Sequence, residues 1–333
     1  MDSGEGGVGT GAGGAGRAGA ADPHPVVVWV GVGAVGLLYG ARLVRAGVHV
    51  HLLMRSGAQQ ARERGLLIRS IDGDFAVRPA DGGGFTVHAC PDELPAADVV
   101  IVSTKTTSNR HLPTLLRRAV RPRTVVLTLQ NGMGNEAFLA EAFPEALVCG
   151  GTAFVSVHRL DPVTADHQHG GQLHIGRYGG PPDATTDMLA GLLRKTGFPV
   201  RVLDDLLRGR WEKQLWNVPF NGLGGALLAD TDKLLSTPAG VGLVRGIMRE
   251  VLAVAAADGR PFPSELIDHK LEYTRGMGPY RTSMQLDREA GREMEVDAIV
   301  GSVVRRAREL DIRVPLIETL YQALLAVNVR GSE

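Results

Sequence analysis

The chain has 333 residues, with 36 Lys and Arg balanced by 36 Asp and Glu, two cysteines and 44 glycines. The zero net charge argues against a dedicated nucleic-acid partner; Cys90 and Cys149 are too few for a disulfide scaffold or a cysteine-cluster metal site, which points to a reducing cytoplasm. At 44% hydrophobic the chain can bury a large core, and its length predicts two domains on a prior of ~150 residues each.

Nine of the glycines fall in residues 1–25, a stretch with no aromatic side chain. Such a segment cannot bury enough surface to offset its ordering entropy, so a disordered tail is expected there. Its single Arg stands against Asp2, Glu5 and Asp22, the wrong charge for a secretory leader. The apolar run Val26–Ala41 is shorter than the ~20 residues that cross a bilayer, so no membrane partner is expected.

The β-branched run 26–30 (VVVWV) reads as a strand buried on both faces. It runs into Gly31, Val32, Gly33, Ala34, Val35 and Gly36, then a helical pattern, then a second strand over 48–54. A glycine turn between strand and helix lets backbone N–H groups approach a pyrophosphate at the helix N-terminus. Dinucleotide binding is therefore predicted, with a ligand-free tight turn as the alternative. NAD-selective folds place an acid at the end of the second strand; here Arg55 stands there, suited to the 2′-phosphate of NADP. A solvated Arg is the other reading.

A β-rich section follows, then buried strands over 98–103 and 124–129, with helix expected over 108–120. Lys105 and Asn131 lie just beyond the carboxyl ends of these strands, where doubly wound sheets bind ligands. Lys105 can pair with a phosphate or carboxylate, and Asn131 can hydrogen-bond nicotinamide or substrate; an exposed lysine and an Asn-Gly turn are the plain alternatives. Further strands and a helix over 185–196 complete a dinucleotide-binding domain ending near 203. His158, His167, His169 and His174 match no standard metal spacing and read as a polar hairpin.

From 204 to 330 the periodicity is helical, so an α/β Rossmann-type domain over 26–203 is expected to precede an all-α substrate domain. Lys213, Asn217 and Asn221 recur every four residues, on one stripe flanked by Trp211, Trp216 and Phe220. A lysine there can protonate a forming alkoxide, and the asparagines can orient a polar substrate. Pro219 is expected to kink this helix and disturb the alignment of Asn221. A single helix over 283–310 would align Ser283, Asp287, Gly291 and Glu295. On that reading Gly291 admits a close neighbour, and Glu295 orients Lys213 and favours its charged form. An ordinary charged helix is the alternative.

Taken together, GVGAVG at 31–36, Lys105, QNGMGN at 130–135, WEKQLWNVPFN at 211–221 and SMQLDREAGREMEVDAIVG at 283–301 resemble the ketopantoate reductase family over most of 26–325. The resemblance implies NADPH-dependent reduction of a 2-keto acid, ketopantoate, to pantoate. It places the catalytic lysine and glutamate on Lys213 and Glu295 and the substrate-binding asparagines on Asn217 and Asn221. Ser283 falls on the carboxylate-binding serine, Arg55 and Lys105 on the phosphate side of the cofactor, and Asn131 on the Asn of the Asn-Gly turn. Two departures stand out: Leu286 where the family has Gln before the Asp, and Pro219 between the asparagines. A reductase of a different 2-keto acid and a non-enzymatic NADP-binding sensor are the alternatives. The sequence does not account for the glycines at 222, 224 and 225, beside the expected substrate. The apolar-striped helices suit pairing with a second copy, a homodimer.

Overall fold

The computed structural model describes Met1, residues 25–81 and residues 83–329; the expected tail lies outside them except at its two ends. β1 (Val27–Val30), α1 (Ala34–Arg45), β2 (Val50–Leu53), α2 (Ala58–Arg64), β3 (Leu66–Ser70), β4 (Phe75–Val77) and β5 (Phe85–His88) come first. β6 (Val99–Val102), α3 (Leu112–Leu116), β7 (Val125–Thr128), α4 (Asn135–Ala142), the long strands β8 (Leu147–Asp161) and β9 (Thr164–Arg177), α5 (Ala184–Arg194) and β10 (Val200–Val202) follow. All ten strands form one sheet, in the order β4-β3-β9-β8-β7-β6-β1-β2-β5, with β10 beside β9.

From β5 to β8 every pairing is parallel, and the central strands β1, β6 and β7 are Val-rich runs buried on both faces. The β8–β9 and β3–β4 pairs are antiparallel. α1 packs against β1 and β2 and also against β3, β4, β8 and β9, so the sheet curls around this one helix. Leu37, Leu38, Tyr39 and Leu43 are fully buried in that wrap, and the Tyr39 hydroxyl donates to Gly171 O at 2.8 Å. The four histidines sit on β8 and β9, in keeping with the hairpin reading.

The remainder is all helical: α6 (Leu206–Leu227), α7 (Thr231–Leu235), α8 (Pro238–Ala257), α9 (Glu265–Gly276), α10 (Ser283–Glu289), α11 (Ser302–Glu309) and α12 (Pro315–Val327). The chain is thus a Rossmann-type α/β domain followed by an all-α domain. α6 is the axis of the second core, packed against α8, α10 and α12. Among the described residues no helix is long and apolar enough to cross a membrane.

Four sequence expectations are corrected. The helix expected over 108–120 is a 3-10 turn (Thr106–His111) and then α3, whose first turn holds Pro113. The long helix over 283–310 is broken: Gly291 takes φ +63°, a left-handed conformation that terminates α10. A short π-helical turn (Asp297–Gly301) starts only after an irregular stretch. Nothing approaches Gly291, so it serves as a stop and not as a close contact. Pro219 leaves α6 continuous from Leu206 to Leu227, so the stripe stays aligned. Of the unexplained glycines, 222 abuts Leu320 of α12, 224 faces the Thr282 hydroxyl and 225 faces Met284; all three are helix-packing contacts.

Candidate active site

The glycine turn is shaped for a dinucleotide. Gly31 takes φ +93°, and a Cβ there would collide with the backbone of Thr104, at the end of the neighbouring strand. Gly33 is the N-cap of α1, with no side-chain cap, no acid in the first turn and open space where a Cβ would stand. The N–H groups of Ala34, Val35 and Gly36 have no intrahelical acceptor and face that space with the helix dipole behind them. These features fit a pyrophosphate. Val32 is buried behind the turn, Val35 lines the adjoining cavity, and Arg55 is exposed just past β2.

A cavity of about 710 Å³ lies between the sheet and the helical domain. Asn131 reaches it from the end of β7, Lys213, Asn217 and Asn221 from α6, and Ser283 from the first turn of α10. The i, i+4, i+8 stripe therefore faces the cavity as its spacing predicts. A hydrogen-bonded chain links its members: Ser283 Oγ donates to Asn221 Oδ1 at 3.1 Å, and Asn221 Nδ2 donates to Asn217 Oδ1 at 3.2 Å. Asn217 Nδ2 is buried with no partner, a donor awaiting an acceptor.

Lys213 Nζ donates to Ala153 O at 2.6 Å and stands 4.6 Å from the centre of the Phe154 ring. Burial pushes its pKa down to about 7, and repulsion from Lys270 and Arg210 adds to the effect. Such an ammonium can release its proton near neutral pH. One turn earlier, Arg210 forms a buried ion pair with Glu136 of α4 and donates to Gln130 O at 2.8 Å. This pair, satisfied on both sides, ties α6 to the end of β7 and so holds Lys213 relative to Asn131.

Lys105 and Glu295 belong to a different cluster. Lys105 Nζ is ion-paired with Asp287 of α10, which also takes Arg292 Nε at 3.1 Å. Glu295 Oε1 accepts from Thr106 N at 2.8 Å and from Thr106 Oγ1 at 2.9 Å, and burial raises its pKa above the usual carboxylate range. The expectation that Glu295 orients Lys213 is therefore corrected: once α10 ends, its carboxylate caps the loop after β6 instead. Gly132 packs its backbone on Ala298, and Met133 N donates to Ala298 O at 3.1 Å, so the loop after β7 is joined to the same segment.

Sequence reasoning missed Phe154, the ring beneath Lys213, and the Arg210–Glu136 pair. Their partners are 59 or more residues away in the chain, and no local spacing announces such contacts. It also missed that Trp216 would be fixed by donation from Nε1 to Thr274 Oγ1 at 3.0 Å, as a wall of the cavity.

Comparison with known proteins places this arrangement among its relatives. Residues 27–180 match the model of the family described as ketopantoate reductase PanE/ApbA, and residues 205–328 match the model of its C-terminal region. A 2-dehydropantoate 2-reductase of Nostoc sp. is 39% identical over 309 residues, covering 91% of this chain and 95% of that protein. One from Halobacterium salinarum is 33% identical over 297 residues, 88% of this chain and 96% of its own length. The crystal structure of 2-dehydropantoate 2-reductase from Geobacter metallireducens superposes with a TM-score of 0.86 at 36% identity, covering 91% of this chain and all of that one.

Proposed function

The chain belongs to the ketopantoate reductase family, and from that premise we propose that it is a cytoplasmic reductase converting 2-dehydropantoate to pantoate with NADPH. The observation that carries this reading is the convergence of Lys213, Asn217, Asn221, Ser283 and Asn131 on one cavity beside the glycine turn.

NADPH, when bound, supplies the hydride. The N–H groups of Ala34, Val35 and Gly36 would hold its pyrophosphate and Arg55 its 2′-phosphate, while Asn131 would orient the nicotinamide side of the cavity. Ser283 turns its hydroxyl from Asn221 to the keto-acid carboxylate. Asn217 gives its unpaired N–H to a second substrate oxygen, which removes the penalty of a buried, unsatisfied donor. Lys213 hydrogen-bonds the ketone oxygen and transfers its proton there as negative charge develops. Glu295 acts as a positioning residue: it fixes Thr106, and with it the loop that carries Lys105 toward α10.

Loss of NADPH absorbance on adding 2-dehydropantoate tests the proposal directly. Steady turnover, with a higher kcat/KM than for other 2-keto acids, supports it. Preference for a different 2-keto acid reassigns the substrate, and turnover with none refutes the enzymatic reading.

A further inference from the structure

The turn of the β8–β9 hairpin, Asp161 to Thr164, lies against the loop that follows β2. Gly57 takes φ +80°, and a Cβ there would collide with Pro162, so the two segments meet at close range. The ladder register shifts between Arg159 and Asp161, and such a bulge re-aims the side chains beside it. Arg159 thereby reaches the β2 loop, with Nη2 3.4 Å from Ser56 Oγ. Its other acceptors are two backbone carbonyls, Asp161 O at 3.2 Å from Nε and Pro162 O at 3.4 Å from Nη2. The carboxylate of Asp161 accepts from Val163 N at 2.9 Å and acts on Arg159 from beyond ion-pair distance.

Arg159 thus meets Ser56, whose chain neighbour is the exposed Arg55, and among the described residues neither arginine has a carboxylate within ion-pair distance. Arg42, Arg177 and Arg210, by contrast, each have one. Arginines on adjoining segments that lack a paired carboxylate are an arrangement that a phosphate monoester completes: it carries close to two negative charges at neutral pH and accepts from several donors at once.

We propose that Arg159 is the second arm of the site for the cofactor's 2′-phosphate, closing on Arg55 and Ser56 from the hairpin. The proposal rests on the NADP reading and assigns cofactor selectivity partly to a residue more than a hundred positions after the glycine turn.

The test compares the full chain with Arg159→Gln and Arg55→Gln, measuring KM for NADPH and NADH and binding of 2′,5′-ADP by calorimetry. Losing one charge-assisted contact is expected to raise KM for NADPH and weaken 2′,5′-ADP roughly tenfold in each variant, while NADH changes less than about twofold. Arg159→Lys keeps the charge and recovers part of the loss, and Tm stays at the wild-type value. Equal losses for both cofactors, or an NADPH preference intact in Arg159→Gln, overturn the proposal alone. A wild-type protein that does not distinguish NADPH from NADH overturns the NADP reading, and this inference with it.

Discussion

Lys105, at the carboxyl end of β6, is ion-paired with Asp287 on α10, so the sheet and the helix that carries Ser283 are linked one turn from that serine. Asp287 is buried while Lys105 is part-exposed, and the adjacent Thr106 is bonded to Glu295. Two consecutive residues of one loop therefore hold two separate points of the helical domain.

This link is expected to set substrate affinity more than turnover. Asp287→Asn should raise KM for the keto acid several-fold with little change in kcat. A double-mutant cycle with Lys105→Ala should show a coupling of about 0.5–1 kcal/mol in kcat/KM, the ordinary range for a pair with one exposed partner. Strictly additive effects would show that the pair does not position α10.

Lys213→Ala should lower kcat by about 10²–10⁴-fold, the usual contribution of a positioned acid, while binding of NADPH stays near the wild-type value. Lys213→Arg should not restore turnover, because a guanidinium does not give up its proton near neutral pH. Unchanged turnover in the alanine variant would remove Lys213 from the chemistry.

The pH dependence follows from the same residue. Lys213 titrates at about 7, chiefly through burial, and ketone reduction needs its protonated form. Reduction should be level on the acid side and fall about tenfold per pH unit above that value. Oxidation of pantoate needs the neutral amine and should rise across the same window. Lys270→Gln removes a repelling cation and should move the inflection upward; an alkaline limb indifferent to that change would argue against Lys213 as its source.

The sheet strands were legible because buried parallel strands are continuous β-branched runs, and the glycine turn because its spacing has a mechanical cause. Lys213, Asn217 and Asn221 were legible because helical periodicity alone puts them on one face. The line from Ser283 to Glu295 was not. Its four-residue spacing imitates a helix, but Gly291 adopts a left-handed conformation that periodicity does not reveal, and this sends Glu295 to Thr106. Phe154 and Arg210–Glu136 were hidden for another reason: their contacts exist only once the hairpin and α4 are packed against α6.

The glycines of α6 supply the last test. Gly224 sits inside a helix, where alanine is intrinsically favoured by about 1 kcal/mol. A Cβ there would stand 2.7 Å from Thr282 Oγ1, the fully buried hydroxyl that caps α10. Overpacking of this kind costs about 1–3 kcal/mol, so the steric term outweighs the propensity gain and Gly224→Ala should be destabilised by about 1 kcal/mol. The displaced cap adjoins Ser283, so KM for the keto acid should rise several-fold while kcat is nearly preserved. Gly242→Ala, at an open position of α8, isolates the propensity term and should stabilise the protein by about 0.5–1 kcal/mol. Should Gly224→Ala match that gain in thermal unfolding and leave KM unchanged, the close seating of α10 on α6 is not what places Ser283.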